Sequence, residues 1–427
     1  MAAIDASIYE EVIIESADRS TTVDIRLGIV SIDYYEDIFS PTITAKIVIA
    51  DTASNGLDGL YKGLKIQGGE RVSLKIAGNS SDNKGLDFAS SVDDYFYVSG
   101  VSNAILQGNR EVFTLNLFSR ESITNETSRV PIKFPKSRID ISATKIIKEY
   151  LLTNKPIDVD QTANVYGFIG NMRKPFTLLT MLAAKASPHD GAAGYLFYQT
   201  QEGYKFKSID KMISAKPVAE YLYNEVADFN STLNDYKISD YSWDMNQSLI
   251  ETLRLGTYSS FKGSFNPLTH RFTSYLEGVS DFGSGRVNNL GAEFSSSKIS
   301  DSTNKNILEI PSRYMTFVLD IGTIDDGISK EENGEDYRSE SIRRYNLLFA
   351  QQISMTIPLN TNLKAGDIIK CLFPNMTTSN AKEYDDFQSG LYMIKELCHH
   401  FDSDMSLTSM KLVRDTYGQH SVNNKNI

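Results

Sequence analysis

Hydrophobic and polar residues alternate with a period of two along much of the first 120 residues. Because successive side chains of a strand point to opposite faces of a sheet, this period predicts strands with one buried and one wet face. The Gly-, Asn- and Ser-rich stretch at 78–85 is a predicted turn. Short strands joined by such turns predict a first antiparallel β-barrel over residues 1–122. Four segments show the alternation: 22–27, 42–49, 71–76 and 112–117.

The period then changes to that of a helix. Apolar side chains at helical spacing predict a helix over 140–152, with Asp140 or Ser142 as its N-cap. A second helix is predicted to start at Pro175, because proline suits the first turn of a helix. A Gln-Glu-Gly turn flanked by aromatic residues predicts a hairpin further along. These elements predict an inserted α/β domain over residues 123–213.

The rest of the chain returns to alternating patterns around a polar segment. Residues 214–255 and 338–418 are predicted to form a second β-barrel, whose last part opens with a helix over 338–352. Residues 256–337 are rich in Gly, Ser, Asn and Asp and predict a loop-rich β insertion. Residues 419–427 are polar and predict a flexible tail. The predicted fold class is mainly β, with two antiparallel β-barrels and inserted domains.

Two distant segments of the chain resemble each other. Residues 95–121 and 389–416 each read as a strand, a polar turn and a second alternating strand. Upstream of each lies a glycine followed by an acidic residue and an apolar run, at Gly69 and at Gly366. The pattern predicts a duplicated β module, although any two antiparallel hairpins share some of this likeness. Three such chains would place six similar modules around one axis. The matched positions are Tyr97 with Tyr392, Val98 with Met393, Leu115 with Met410, and Leu117 with Leu412.

The amino-acid composition and net charge argue against several classes of protein. The 427 residues predict two to four domains, and a hydrophobic content of 41% fits a folded chain. A net charge of −11, with no Lys/Arg run longer than two, argues against tight nucleic-acid binding. It fits a surface past which DNA slides. Two cysteines make no disulfide framework, so we expect a reducing compartment. The sequence shows neither a signal peptide nor an apolar run of ~20 residues. We therefore expect that the chain is made in a cytoplasm and does not insert into a membrane.

The densest group of reactive side chains lies near the end of the chain. Cys398, His399, His400, Asp402 and Asp404 are five possible metal ligands within seven residues. A structural zinc site needs about four ligands held on rigid elements. Adjacent residues of a strand point to opposite faces, so we do not expect the two histidines to share one ion. We interpret the cluster as the end of a strand beside a turn.

Other candidate sites have equally plain interpretations. His189 lies in a predicted loop, and without a G-x-S-x-G elbow we do not expect it to serve a catalytic triad. Asp281 opens a Gly-rich loop, and the turns at Asp82 and Asp402 lack the spacing of an EF-hand. Acidic pairs could serve a glycosidase, but carboxylates in polar turns are usually solvated or capping. We expect no catalytic, cofactor-binding or metal-binding residue, and no cofactor. The acidic pairs are Asp93–Asp94, Asp325–Asp326 and Asp385–Asp386.

Three segments carry a resemblance to a known family. Residues 346–370 read as a helix, a strand and an N-x-x-L-x-x-G-D-x-I run, and residues 389–416 read as a closing hairpin. Residues 194–213 form a hairpin that ends in Asp-x-Met-Ile. Together they resemble the baseplate hub protein of contractile-tailed bacteriophages of the T-even type, which carries the central spike.

The resemblance implies two tail-tube-like barrels per chain and a trimeric ring of pseudo-six-fold symmetry. It implies a structural protein of the virion tail baseplate, made in the host cytoplasm and not an enzyme. The implied partners are further copies of the chain, a trimeric spike or spike–lysozyme protein, the hexameric tail tube protein, baseplate wedge proteins and the tape measure protein. DNA would pass transiently through the ring without specific binding. Candidate segments for the channel lining are 42–49, 71–76, 112–117 and 366–372, at their polar positions.

Two alternatives stay open at this point. A hub of a non-viral contractile injection system would share the same barrels. A β-rich carbohydrate-active enzyme would use the acidic loops instead.

Overall fold

A computed structural model describes the protein over ten segments of its chain. Within these segments no helix is both long and apolar enough to cross a membrane. Asp82, Asp281, the pair Asp325–Asp326 and the predicted tail at 419–427 lie outside the described residues. The described segments are 4–52, 63–80, 83–107, 110–223, 235–244, 248–278, 289–291, 310–320, 337–375 and 384–416.

Strands dominate the described residues, and the predicted mainly β fold class is confirmed. The first β module is the set of strands β1 Tyr9–Glu15, β2 Thr22–Asp24, β3 Ile29–Asp37, β4 Thr44–Thr52, β5 Arg71–Ile76, β6 Leu86–Phe88, β7 Phe96–Gln107 and β8 Arg110–Ser119. The α/β insert follows with α1 Arg120–Thr127, β9 Lys133–Arg138, α2 Ile139–Glu149, β10 Ile157–Val159, β11 Val165–Ile169, α3 Pro175–Lys185, β12 Tyr195–Thr200, β13 Gly203–Ser208 and α4 Ile209–Ile213.

The second half of the chain interleaves a second β module with a small sheet. Its elements in chain order are β14 Ala219–Leu222, β15 Asp240–Asp244, α5 Leu249–Leu255, β16 Ser259–Asn266, β17 Arg271–Gly278, β18 Arg313–Val318, α6 Arg338–Leu347, β19 Gln351–Pro358, β20 Ile368–Leu372, β21 Gly390–Asp402 and β22 Ser406–Arg414. The second β module is the set β14, β15 and β19 to β22. Strands β16, β17 and β18 form the separate three-stranded sheet.

The two modules share one 14-stranded sheet. Its main path runs β15-β19-β22-β21-β3-β4-β8-β7-β5-β1-β2. The order β3-β4-β8-β7-β5 of the first module repeats as β15-β19-β22-β21-β20 in the second. This shared order confirms the predicted duplication. The expected closed barrels are not formed by pairings among the described strands, whose order is open at both ends.

The repeat extends to single hydrogen bonds. The N–H of Gly69 donates to the carbonyl of Val98, and the N–H of Gly366 donates to that of Ile394, both at 2.8 Å. Both glycines have a φ of +93°, a value that L residues rarely adopt. Val98 therefore corresponds to Ile394, and its predicted match with Met393 is wrong by one position.

The same correction applies to the first aromatic residue of each hairpin. Phe96 pairs with β5, Tyr392 pairs with the equivalent strand β20, and both side chains are fully buried. Phe96 therefore corresponds to Tyr392, and the predicted match of Tyr97 with Tyr392 is wrong by one. The match of Leu117 with Leu412 is confirmed, since each pairs opposite Val98 or its counterpart. The offset arises because β7 carries one more residue than β21 at a bulge in its second half.

One hydrophobic core serves both modules. It collects the alternate side chains of the strands, such as Ile47 and Leu115 from the first module and Met355 and Leu412 from the second. Each such side chain contributes about 1.5–3 kcal/mol by leaving water. The alternation predicted from the sequence therefore places one face of the shared sheet inward, as expected.

The α/β insert has a hydrophobic core of its own and also packs against the second module. Its helices α2 and α3 and strands β12 and β13 enclose its own core. A separate cluster joins Tyr198 and Met212 of the insert to Ile368 and Met393 of the second module. The predicted hairpin is confirmed as β12–β13, with Gln201 and the next residue at its turn. Among the described strands, three pairs depart from the antiparallel expectation and run parallel: β10–β13, β14–β20 and β16–β18.

Two predicted elements have different limits in the structure. The strand expected over 22–27 ends at Asp24, because the carboxylate of Asp24 accepts the N–H of Arg26 at 3.1 Å and turns the chain into a short 3-10 helix. The helix expected over 338–352 ends at Leu347.

The predicted N-cap of α2 is also wrong. The capping position is Arg138, without a side-chain bond, and neither Asp140 nor Ser142 occupies it. The carboxylate of Asp140 instead accepts the hydroxyl of Thr162 at 2.8 Å. This carboxylate therefore fixes a neighbouring loop rather than the first N–H groups of its own helix.

Candidate functional site

The two modules meet where β3 of the first pairs antiparallel with β21 of the second. We call this pairing the seam. It extends from Glu396 opposite Asp37 to Asp402 opposite Ser31. Four of the five residues that looked like metal ligands in the sequence therefore lie at the contact between the duplicated halves, and Asp404 lies in the turn beyond it.

The two adjacent histidines occupy opposite faces of the seam, as predicted. His399 is fully buried in the shared core, where its ring stacks on Tyr34 with centroids 6.0 Å apart and planes 7° apart. Its Nδ1 lies 2.9 Å from the hydroxyl oxygen of Thr408. Burial lowers the pKa of His399 to about 3, so its ring is neutral at physiological pH. His399 acts as a packed core residue.

His400 faces away from the core and links both modules. Its Nδ1 lies 2.5 Å from a carboxylate oxygen of Asp33 on β3, and its Nε2 lies 3.4 Å from Asp402. Burial lowers the pKa of His400, but the bonds to Asp33 and Asp402 outweigh burial, so the net pKa is raised. When the ring is protonated, both of its nitrogens are donors, one to Asp33 and the other to Asp402.

The other members of the cluster have structural roles. Burial raises the pKa of the Cys398 thiol to about 12, so the thiolate that binds metals or attacks substrates is suppressed. The carboxylate of Asp402 accepts the N–H groups of Asp404 at 2.8 Å and Met405 at 2.7 Å and closes the hairpin turn. In the part of the chain that the structure describes, no three His, Cys, Asp or Glu side chains gather as metal ligands.

A buried carboxylate next to the seam joins three parts of the chain. Glu36 on β3 accepts the hydroxyl of Tyr34 at 2.7 Å and the N–H of Gln201 in the insert at 2.6 Å. Its other oxygen accepts the N–H of Ala365, just before β20, at 2.9 Å. Burial raises the pKa of Glu36 to about 7, although these three donors lower it. The sequence signal was an acid at a core position of an alternating strand, and our sequence interpretation missed it.

A second missed group is a fully buried ion triad. Arg344 on α6 forms an ion pair with Asp210 of the insert at 2.7 Å and donates to Asp415 beyond β22 at 2.9 Å. Asp210 also accepts the N–H of Ala192 at 2.6 Å. Burial lowers the pKa of Arg344, but the two carboxylates outweigh it and raise the pKa overall. The triad fixes the insert, α6 and the end of the second module to one another.

The remaining sequence candidates are dispersed. Asp93 binds Arg120 and accepts the side-chain amide of Asn154 at 2.8 Å. Asp385 accepts the N–H of Phe387 at 2.7 Å and closes a turn. His189 lies between α3 and β12, as expected, and is one of the residues that line a surface pocket of about 340 Å³. The structure does not bring these groups together at one site, so the seam remains the feature that most distinguishes this molecule.

Known proteins resemble this chain in sequence and in fold. No model of a known protein family matches the chain. The chain is 21% identical over 375 residues, covering 84% of each sequence, to a protein of Vibrio phage KVP40 named "Probable baseplate hub protein gp334".

Solved structures give the same picture at the level of the fold. A tail protein of Neisseria meningitidis MC58 superposes with a TM-score of 0.53 at 10% identity and covers 94% of this chain and 96% of its own. The 43 kDa tail protein of prophage MuSo2 from Shewanella oneidensis superposes with a TM-score of 0.54 at 9% identity and covers 95% and 98%. The predicted resemblance to hub proteins is confirmed, and the chain has the fold of these two tail proteins.

Proposed function

We propose that the chain is a structural baseplate hub subunit of a contractile phage tail, without catalytic chemistry. The observation that carries this proposal is the duplicated β module, whose two copies lie side by side in one sheet in the same strand order. Three such chains around an axis offer six similar modules in three-fold symmetry. A ring of this kind matches a hexameric tube on one side and a trimeric spike on the other.

The similarities to a hub protein and to two tail proteins support this assignment. The ring would lie in the tail baseplate of the virion. Its partners would be the hexameric tail tube protein, a trimeric spike or spike–lysozyme protein, baseplate wedge proteins and the tape measure protein. Each chain supplies two modules, so the hub converts three-fold into pseudo-six-fold symmetry by covalent linkage rather than by a second protein.

The polar face of the shared sheet fits a DNA channel. Opposite the core, the strands near the seam carry Asp33, Asp37, Glu396 and Asp402, with Lys46, Lys395 and Lys411 as counter-charges. Among the described residues, this face therefore offers no unpaired basic patch to the phosphate backbone, and with the chain's net charge of −11 DNA would pass without binding. The predicted lining segments 42–49 and 112–117 pair within this part of the sheet; their position on an axis is part of the proposal.

Mass photometry of the purified chain, alone and with the spike protein of the same phage, tests the proposal. A particle of three times the 47.7 kDa chain mass is expected in at least one condition. Electron-microscopy class averages of that particle should show a ring with six lobes. A chain that stays monomeric in both conditions would overturn the proposed function.

A further inference from the structure

The seam inside one chain has two unmatched counterparts, one on the later half of β7 and one on β15. In the second module, the later half of β21 pairs with β22 on one edge and with β3 on the other. In the first module, β7 is the counterpart of β21, and it pairs with β5 only through Phe96 and Tyr97. Beyond these two residues, β8 is the only described strand that pairs with β7. β15, the counterpart of β3, pairs among the described strands with β19.

We propose that the later half of β7 in one subunit pairs antiparallel with β15 of the next subunit, so that the seam is repeated between copies of this chain. The proposal rests on the ring proposed above and names the surface that closes it. Each chain contains one complete seam. It also contributes one strand to each of two further seams, β7 to one and β15 to the other. Three chains would then alternate three internal seams with three intersubunit seams around the axis.

The internal repeat gives the register of this contact. His400 lies opposite Leu407 on β22, and Ile105 lies opposite Val112 on β8, the counterpart of Leu407. Ile105 therefore takes the place of His400 in the intersubunit seam.

The other strand is matched in the same way. Asp33 lies opposite Lys46 on β4, and Ser242 lies opposite Ser354 on β19. Lys46 and Ser354 are equivalent positions, because β4 pairs with β8 in the same register as β19 pairs with β22. Ser242 therefore takes the place of Asp33, and the His400–Asp33 pair becomes an Ile105–Ser242 pair between subunits.

The surface chemistry of β7 agrees with this use. Ile105 is 60% exposed in the single chain, and the neighbouring Val112 is 38% exposed. Apolar side chains beside an available strand edge are the combination that recruits another strand. The edge of β7 is re-aimed by the bulge between Ser102 and Ile105, where Asn103 has a φ of +52°. A second copy of this chain is the occupant that the internal seam specifies.

Cysteine cross-linking tests the register. Directly opposite residues of antiparallel strands have Cβ atoms about 4.5–5.5 Å apart, close enough to be oxidised to a disulfide. The variant Ile105→Cys with Ser242→Cys should give covalent dimers and trimers on a non-reducing gel after copper–phenanthroline treatment of the assembled ring. The variant Ile105→Cys with Asp240→Cys is offset by two residues, ~7 Å along the strand, and should give little product. The parent chain, with Cys371 and Cys398, sets the background.

A second variant tests the surface without chemistry. Ile105→Asp places a charge in the intersubunit seam and should raise the concentration at which the trimer dissociates at least tenfold. Ile141→Asp on α2, where Ile141 is 52% exposed, is the matched control and should leave it unchanged. A trimer in which only the offset pair cross-links, or neither pair does, would overturn this inference while the ring stands. A chain that forms no trimer even with its spike would overturn the proposed function itself.

Discussion

Gly69 and Gly366 hold the same position in the two halves of the chain but differ in what surrounds them. Both have a φ of +93° and donate the same hydrogen bond. Among the described residues, and apart from its chain neighbours, a Cβ on Gly69 would meet no atom within 4 Å, whereas a Cβ on Gly366 would lie 2.5 Å from the hydroxyl of Tyr198 and 2.7 Å from the methyl of Met212. The repeated turn is thus open in the first module and covered by the α/β insert in the second.

Alanine at these two glycines separates backbone strain from packing. Gly69→Ala should cost about 1–2 kcal/mol, because the residue adopts a conformation disfavoured for L residues. Gly366→Ala adds a collision with the insert and should cost about 2–5 kcal/mol. Urea denaturation of both variants measures the difference. Equal losses would show that the insert does not pack on this turn in solution.

Removal of Arg344 should be among the most damaging substitutions in the protein. Arg344→Met leaves Asp210 and Asp415 buried without their cation, which typically costs ~3–5 kcal/mol. Arg138→Met is the matched control, because its pair with Asp140 is partly exposed and should contribute at most ~1 kcal/mol. The shift of the urea midpoint is the readout.

The triad can also be neutralised as a whole. If the loss in Arg344→Met comes from stranded charge, adding Asp210→Asn and Asp415→Asn should restore part of the stability. A triple variant less stable than Arg344→Met would instead assign the loss to packing of the guanidinium.

Local patterns specified the elements of this fold better than its junctions. Alternation predicted the strand at 71–76 to the residue, because one of its faces is buried. It failed where a side chain competes for the backbone, as Asp24 does at the end of β2. The one-residue error between Tyr97 and Tyr392 came from the bulge between Ser102 and Ile105, because its extra residue shifts the comparison of the two segments by one position.

The junctions depend on contacts far apart in sequence. Glu36 binds Gln201 and Ala365, and Arg344 binds Asp210 and Asp415. Nothing local predicts these partners, since an acid at a core position or an arginine in a helix is compatible with many folds. The sequence did predict that the two seam histidines face apart, because that follows from strand geometry alone.

The His400–Asp33 pair should make the seam stronger in acid. The pKa of His400 is raised in the folded chain, so its contribution is present below the ordinary pKa of 6.5 and is lost as the pH rises through the raised value. His400→Gln should therefore lower the denaturation midpoint at pH 5.5 more than at pH 8.5. Because the pair is partly exposed, the difference should stay below ~1 kcal/mol. Asp33→Asn should show the same pH dependence, and a loss independent of pH would exclude the charge as its cause.

Glu36 should act in the same direction for a different reason. Burial raises its pKa from 4.5 to about 7, so the folded chain binds a proton that the unfolded chain has released. Stability should fall as the pH rises from about 4.5 to about 7, in contrast to a carboxylate in an ion pair. Glu36→Gln cannot ionise, so this part of the pH dependence should disappear, whatever the variant's absolute stability. Denaturation midpoints of the His400→Gln background with and without Glu36→Gln, measured between pH 4.5 and 8, separate the two residues. A slope unchanged by Glu36→Gln would show that the donors from Tyr34, Gln201 and Ala365 keep the carboxylate ionised throughout.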